Sequence, residues 1–128
     1  MSLSIRNQLP GTVTSVTAGE AMSTVKVRLQ GGQDITAAIT TDAVKALVKS
    51  TEVSLATGPV EGISIRNQLA GTVTDVATGG AMGSVKVSVE GGELTAAITK
   101  DAVEALGLTS GSSVVALIKS TELSLATA

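Results

Sequence analysis

The run Ser84-Val85-Lys86-Val87-Ser88-Val89, read with Thr72-Val73-Thr74-Asp75-Val76 before it, decides the fold. Both runs alternate apolar and polar residues with a period of two, the pattern of a strand buried on one face. Their Val and Thr side chains suit a pleated surface. Gly79-Gly80 and Gly91-Gly92 bracket the second run and predict hairpin turns. One segment departs from this period. Thr99-Lys100-Asp101-Ala102-Val103-Glu104-Ala105-Leu106 has apolar residues at 102, 103 and 106, a capping hydroxyl at its start and an early acid. It predicts one short helix, stopped by Gly107. A turn over Thr109–Ser112 follows, and then a last strand whose first half is Val114–Leu117 and which goes on to carry Lys119-Ser120-Thr121. Three strands, a short helix and a strand in a module this small predict an all-β, OB-like Greek-key barrel with one short helix.

Working outward, the same module occurs twice. Of the 29 positions from Leu3 to Gly31, 18 are identical to the residue 60 positions later. Ser4-Ile5-Arg6-Asn7-Gln8-Leu9 returns as Ser64-Ile65-Arg66-Asn67-Gln68-Leu69, and Val25-Lys26-Val27 as Val85-Lys86-Val87. Near the end of the module the offset changes: Lys49-Ser50-Thr51-Glu52 matches Lys119-Ser120-Thr121-Glu122, 70 positions on. The first copy therefore lacks a counterpart of Gly107–Leu117, which reads as a deletion, natural or engineered. The expected organisation is a shortened module over 1–57, a turn-prone linker over 58–62 (Gly58-Pro59-Val60-Glu61-Gly62) and a full module over 63–128. In the shortened copy the helix is expected over Asp42–Leu47, running directly into a strand near Val48. That strand, having lost half its length, should be completed by another module or leave a frayed edge beside residues 33–40.

Composition narrows the functions. The 128 residues are 43% hydrophobic yet include no Phe, Trp or Tyr, so the core is built from aliphatic residues, Ala and Met. Met22 and Met82 are expected to fill it. Cys and His are absent, which removes thiol chemistry, Cys-type metal sites and a Ser-His-Asp triad. No aromatic platform for single-stranded nucleic acid exists, and a net charge of −2 gives no general attraction to DNA or anionic lipid. No signal-peptide core opens the sequence, so a cytoplasmic location is expected. Acidic residues are scattered singly, and the Gly-Gly pairs lack the Lys-Ser/Thr that would make them phosphate loops. The expected protein is a binder with no cofactor, no membrane contact and no catalytic residue.

Two polar motifs recur in both copies. Ser-Ile-Arg supplies a hydroxyl and a guanidinium at Ser4 and Arg6, and again at Ser64 and Arg66. Lys-Ser supplies an ammonium and a hydroxyl at Lys49 and Ser50, and at Lys119 and Ser120. If the first motif is a strand, alternation places its Ser and Arg on one face with Ile on the other. Cations and hydroxyls with no carboxylate beside them suit a tetrahedral oxyanion. The alternative is that these are ordinary solvated strand residues.

The motifs, taken in order, resemble a known family. Ser-Ile-Arg-Asn-Gln-Leu, then Gly-Thr-Val, then Ala-Ala-Ile-Thr-Lys-Asp-Ala-Val-Glu-Ala-Leu-Gly-Leu, then Ala-Leu-Ile-Lys-Ser-Thr-Glu-Leu resemble the Mop module of the molbindins, a TOBE-like module. The resemblance implies tandem OB-like barrels, molybdate or tungstate as ligand, storage or buffering in the cytoplasm, and no catalysis. It also implies homo-oligomers, with a trimer expected, that hold anions between modules. Carried over by position, it proposes Ser4, Ile5, Arg6, Lys49 and Ser50 in the first copy and Ser64, Ile65, Arg66, Lys119 and Ser120 in the second. The isoleucines would act through their main-chain N–H groups. Thr40 and Thr99, at the strand–helix junction, are further candidates. The family's Gly-Ala-Val-Asn hairpin is replaced by Glu20-Ala21-Met22-Ser23 and Gly80-Ala81-Met82-Gly83. Molybdate, tungstate and sulfate are unranked by the sequence. A ligand-free assembly module, or an engineered variant of such a protein, is the competing reading.

Overall fold

A computed structural model of the chain describes residues 7–18, 23–39 and 45–126. In the first copy the strands are β1 (Asn7–Ala18), β2 (Ser23–Leu29), β3 (Asp34–Ile39), β4 (Lys45–Val48) and β5 (Ser54–Ala56). In the second they are β6 (Asn67–Gly79), β7 (Met82–Val89), β8 (Gly92–Thr99), β9 (Ser113–Ile118) and β10 (Ser124–Ala126). A single α-helix, α1 (Lys100–Leu106), lies between β8 and β9 among the described residues. The alternation read from the sequence is realised in β7, whose residues are in turn exposed and buried along its whole length. The Thr99 hydroxyl caps α1 by accepting from the Ala102 N–H (3.2 Å), and Gly107 ends it in the left-handed conformation, φ 61°.

The strands form two curled five-stranded sheets, ordered β10-β4-β1-β2-β3 and β5-β9-β6-β7-β8. Each copy thus gives its final short strand to the other. β10 pairs with β4 (Leu125 opposite Ala46), and β5 pairs with β9 (Leu55 opposite Ala116). The first copy is completed by the second, as its shortening suggested, but the exchange is reciprocal and the full-length copy is completed in the same way. A loss in one copy therefore does not explain it. One continuous aliphatic core, with Val25, Val27 and Ile35 from one copy and Val85, Val87 and Leu94 from the other, runs beneath both sheets.

Two local expectations are corrected. The helix expected over Asp42–Leu47 is not formed at Lys45–Leu47, which belong to β4; Asp42 and the two residues after it lie outside the described residues. The ladder explains why. Val48, Leu47, Ala46 and Lys45 pair with Asn7, Gln8, Leu9 and Pro10, just as Ile118, Leu117, Ala116 and Val115 pair with Asn67, Gln68, Leu69 and Ala70. The pair Ala46-Leu47 matches both Ala105-Leu106 of the helix and Ala116-Leu117 of β9, and the ladder takes the second match, so the missing block ends before Ala116 rather than after Leu117. Met82, expected in the core, is 46% exposed, because it pairs with Gly79 in the first rung beyond the Gly80-Ala81 turn; Met22 lies outside the described residues.

The two copies touch most closely at equivalent hairpins. Gly31 and Gly91 have φ of 100° and 84°, and a Cβ on Gly31 would stand 2.9 Å from the Gly91 nitrogen. Glycine is needed here for backbone conformation and for approach alike.

Candidate functional site

The β6–β9 ladder ends at the rung between Asn67 and Ile118. Beyond it the two segments part: Ser64-Ile65-Arg66 on one side and Lys119-Ser120-Thr121 on the other. These six residues line one hollow of about 240 Å³ in the crotch of the fork. Ser64, Ile65, Arg66, Lys119 and Ser120 all come from the two recurrent motifs, so the second copy's candidates are brought together. Their local structure differs from expectation. Ser64–Arg66 precede β6 rather than forming a strand, so the one-face alternation does not apply. Ser120–Glu122 form a 3-10 turn rather than part of the last strand, with Lys119 as its extended N-terminal neighbour. The turn closes through the Glu122 N–H, which donates to the Lys119 carbonyl (2.9 Å). This turn breaks what reads as one strand into β9 and β10 and directs β10 to the other sheet.

The fork is electropositive. Arg66 and Lys119 are exposed, and the one ion pair among the described residues is Arg28–Asp34, so neither cation is held by a carboxylate there. Arg66 Nη2 donates to the Ile63 carbonyl (3.2 Å) and Gln68 Nε2 to the Ile65 carbonyl (3.2 Å), which ties the Ser64–Arg66 segment into a compact turn. The Ser120 hydroxyl is buried with no partner among the described residues. A buried hydroxyl left unpaired costs about 1–3 kcal/mol, so a ligand oxygen in the hollow would recover that cost. A second hollow of about 210 Å³ adjoins the first and shares Ile65 and Lys119 with it. Its other walls are Thr51, Glu52 and Ser54 of the first copy, and Leu117 and Glu122 of the second. Strand exchange thus sets residues of both copies around Lys119.

The remaining candidates are placed differently. Thr99 caps α1 and lines neither hollow. Lys49 and Ser50 stand beyond β4 as Lys119 and Ser120 stand beyond β9, with Ser50–Glu52 in the equivalent 3-10 turn. Their partners Ser4, Ile5 and Arg6, and also Thr40, lie outside the described residues.

Two residues not nominated from the sequence prove to be central. Among the described residues Asn7 and Asn67 are the buried polar residues, each 2% exposed. Asn67 Nδ2 donates to the Thr36 carbonyl (2.8 Å), and the Thr36 N–H donates to Asn67 Oδ1 (2.6 Å). Asn7 makes the same pair with Thr95, at 2.8 and 2.6 Å. The available signal was a strand-averse polar residue recurring at the head of both apolar runs.

The fold is a duplicated, strand-exchanged, OB-like β module with a cationic, hydroxyl-bearing fork at the end of a ladder. The chain belongs to the TOBE domain family, whose model matches residues 3–57 and 63–125. It is 35% identical over 132 residues to the molybdenum transport protein ModE of Herbaspirillum seropedicae, an alignment covering 93% of this chain and 49% of that protein. It is 38% identical over 136 residues to the molybdenum-pterin-binding protein MopB of Rhodobacter capsulatus, covering 96% of this chain and 50% of that one. The chain spans about half the length of the curated relatives it matches. A crystal structure of the cytoplasmic molybdate-binding protein ModG, with molybdate bound, matches with a TM-score of 0.92 and 34% identity over 100% of both chains.

Proposed function

We propose that this chain binds a tetrahedral oxyanion, molybdate first and tungstate as its near-equivalent, and serves to store or buffer it. The observation that carries this reading is the convergence of Ser64, Arg66, Lys119 and the unpartnered Ser120 hydroxyl on one hollow. Full-length similarity to molybdate-bound ModG supports the choice of anion. A guanidinium, an ammonium and two hydroxyls donate hydrogen bonds and neutralise a dianion without any bond being made or broken, so the role is binding rather than catalysis. The equivalent fork at Lys49 and Ser50 serves as a second site, completed by Ser4 and Arg6. A cytoplasmic location and a symmetric homo-oligomer, a trimer, belong to the same proposal.

Equilibrium dialysis against molybdate, tungstate or sulfate, with elemental analysis of the retained fraction, tests it. Retention of molybdate and tungstate in excess sulfate is expected. A chain that retains none of the three is an assembly module, and the reading falls.

A further inference from the structure

The side chain of Asn67 stands where the fork of the second copy meets the sheet of the first. Asn67 is the last rung of the β6–β9 ladder, opposite Ile118. Its chain neighbour on one side is Arg66, and the neighbour of Ile118 on the other strand is Lys119. The two cations therefore diverge from a single rung, and the position of that rung sets the spacing between them. The side-chain amide of Asn67 meanwhile bonds both polar groups of Thr36, in the edge strand β3 of the other sheet. β3 pairs only with β2, so the groups that Asn67 engages are those the open edge would leave unpaired. An asparagine amide has the same donor and acceptor as a peptide bond, and here it works as a one-residue strand added to that edge.

We infer that Asn67 is a positioning residue for the oxyanion site: it holds the crotch of the fork through the first copy's β3, so that Arg66 and Lys119 are presented at a fixed separation. The inference rests on the fork being the oxyanion site. Asn67 does not touch the anion and acts through Arg66. Because the bonds are buried, they are not exchanged for water at little cost, as an exposed pair would be. Asn7 takes the equivalent position toward Thr95.

The test uses the full chain and molybdate itself, with binding followed by calorimetry and folding by thermal melting. Asn67→Ala should weaken molybdate binding roughly tenfold, the scale on which loss of an outer-shell partner loosens a liganded site. In a chain already carrying Arg66→Ala, adding Asn67→Ala should weaken binding little further, since the arm it positions is gone. Thr36→Pro is the second variant. It removes the N–H that Asn67 accepts without changing any residue of the fork, at an edge strand where proline is tolerated, and it too should weaken binding. An unchanged dissociation constant in both variants, with only the melting temperature lowered, overturns the positioning role and leaves the site intact. Equal weakening with and without Arg66 overturns it also. If the unmodified chain retains no molybdate, the reading of the fork itself fails and takes this inference with it.

Discussion

Gly91 lies so close to the main chain of Gln30 that a methyl group on its α-carbon would overlap the Gln30 carbonyl. The contact joins equivalent hairpins of the two copies, and Gly91 also has a φ of 84°. Gly91→Ala therefore meets two penalties, a left-handed backbone and an overpacked contact, which together cost about 3 kcal/mol or more. Gly32→Ala is the control: its φ is 101°, but nothing lies within reach of an added Cβ, so about 1–2 kcal/mol is expected. Urea unfolding of both variants checks the difference, and equal losses would show that the hairpins are not pressed together in solution.

Charge at the fork should be felt directly in affinity. Arg66→Ala and Lys119→Ala are each expected to weaken molybdate binding by about 1.5–3 kcal/mol, the range for a hydrogen bond to a charged group. Glu104→Gln, on the exposed face of α1, should leave binding unchanged. An unaltered dissociation constant in Arg66→Ala would remove that residue from the site.

The shortened copy can be repaired. Inserting the Gly107–Leu117 sequence between Leu47 and Val48 supplies a helix stop, a turn and a fresh strand, so Lys45–Leu47 no longer need to serve as β4. Gly11 and Thr12 have no rung to β4, whereas Gly71 and Thr72 pair with Val114 and Ser113. The insertion should restore those two rungs. Far-UV circular dichroism should gain helix and the melting temperature should rise. A strand spectrum and melting temperature that stay the same would mean that β4 is held by more than the absence of an alternative.

The Asp34 carboxyl is held below its ordinary range by its hydrogen bond from Arg28 (3.0 Å), which outweighs an opposing desolvation, with the charges of Arg28 and Lys26 adding less. A carboxylate with a lowered folded pKa adds stability above its unfolded value near 3.9 and loses it as pH falls through the folded value. Asp34→Asn should therefore remove a small, salt-sensitive contribution present at neutral pH and leave stability unchanged once the pH is below the folded value. The pair is exposed to solvent, which keeps the effect small. Melting temperatures of the two proteins that remain apart at low pH would contradict this origin.

What could be read from the sequence follows from which features are local. Val73, Val85 and Val87 declare their strands by alternation, and Thr99 and Gly107 mark both ends of α1, because caps act within one turn of the chain. Ser64, Arg66, Lys119 and Ser120 were findable because each motif recurs with its chemistry intact. Lys45–Val48 misled because Ala46-Leu47 matches Ala105-Leu106 of α1 and Ala116-Leu117 of β9 equally, and only the ladder shows which match holds. Nor could alternation reveal the exchange of final strands. β5 and β10 are the same tripeptide, Ser-Leu-Ala, and each pairs at the equivalent register with the other copy's sheet. Asn7 and Asn67 were missed for a similar reason: the Asn7–Thr95 bonds span 88 residues, and no short-range pattern signals them.

The strand exchange has a consequence for the order in which the protein is made. The sheet of the first copy lacks its edge until Ser124–Ala126 has been synthesised, and at about 5–20 residues per second the wait after Ala56 is on the order of several seconds. Through that interval the outer edge of β4 is open to any passing strand. The nascent chain carries its own stand-in, since Ser54-Leu55-Ala56 is identical to the tripeptide that finally fills the place. Ribosome-stalled chains halted beyond Gly62 would reveal such a self-closed form through protection of the Ala46 and Leu47 amides, and unprotected amides would exclude it. A copy that first closes on itself and then trades strands makes folding of the first half during translation reversible, and leaves the final pairing to be decided when the second half arrives.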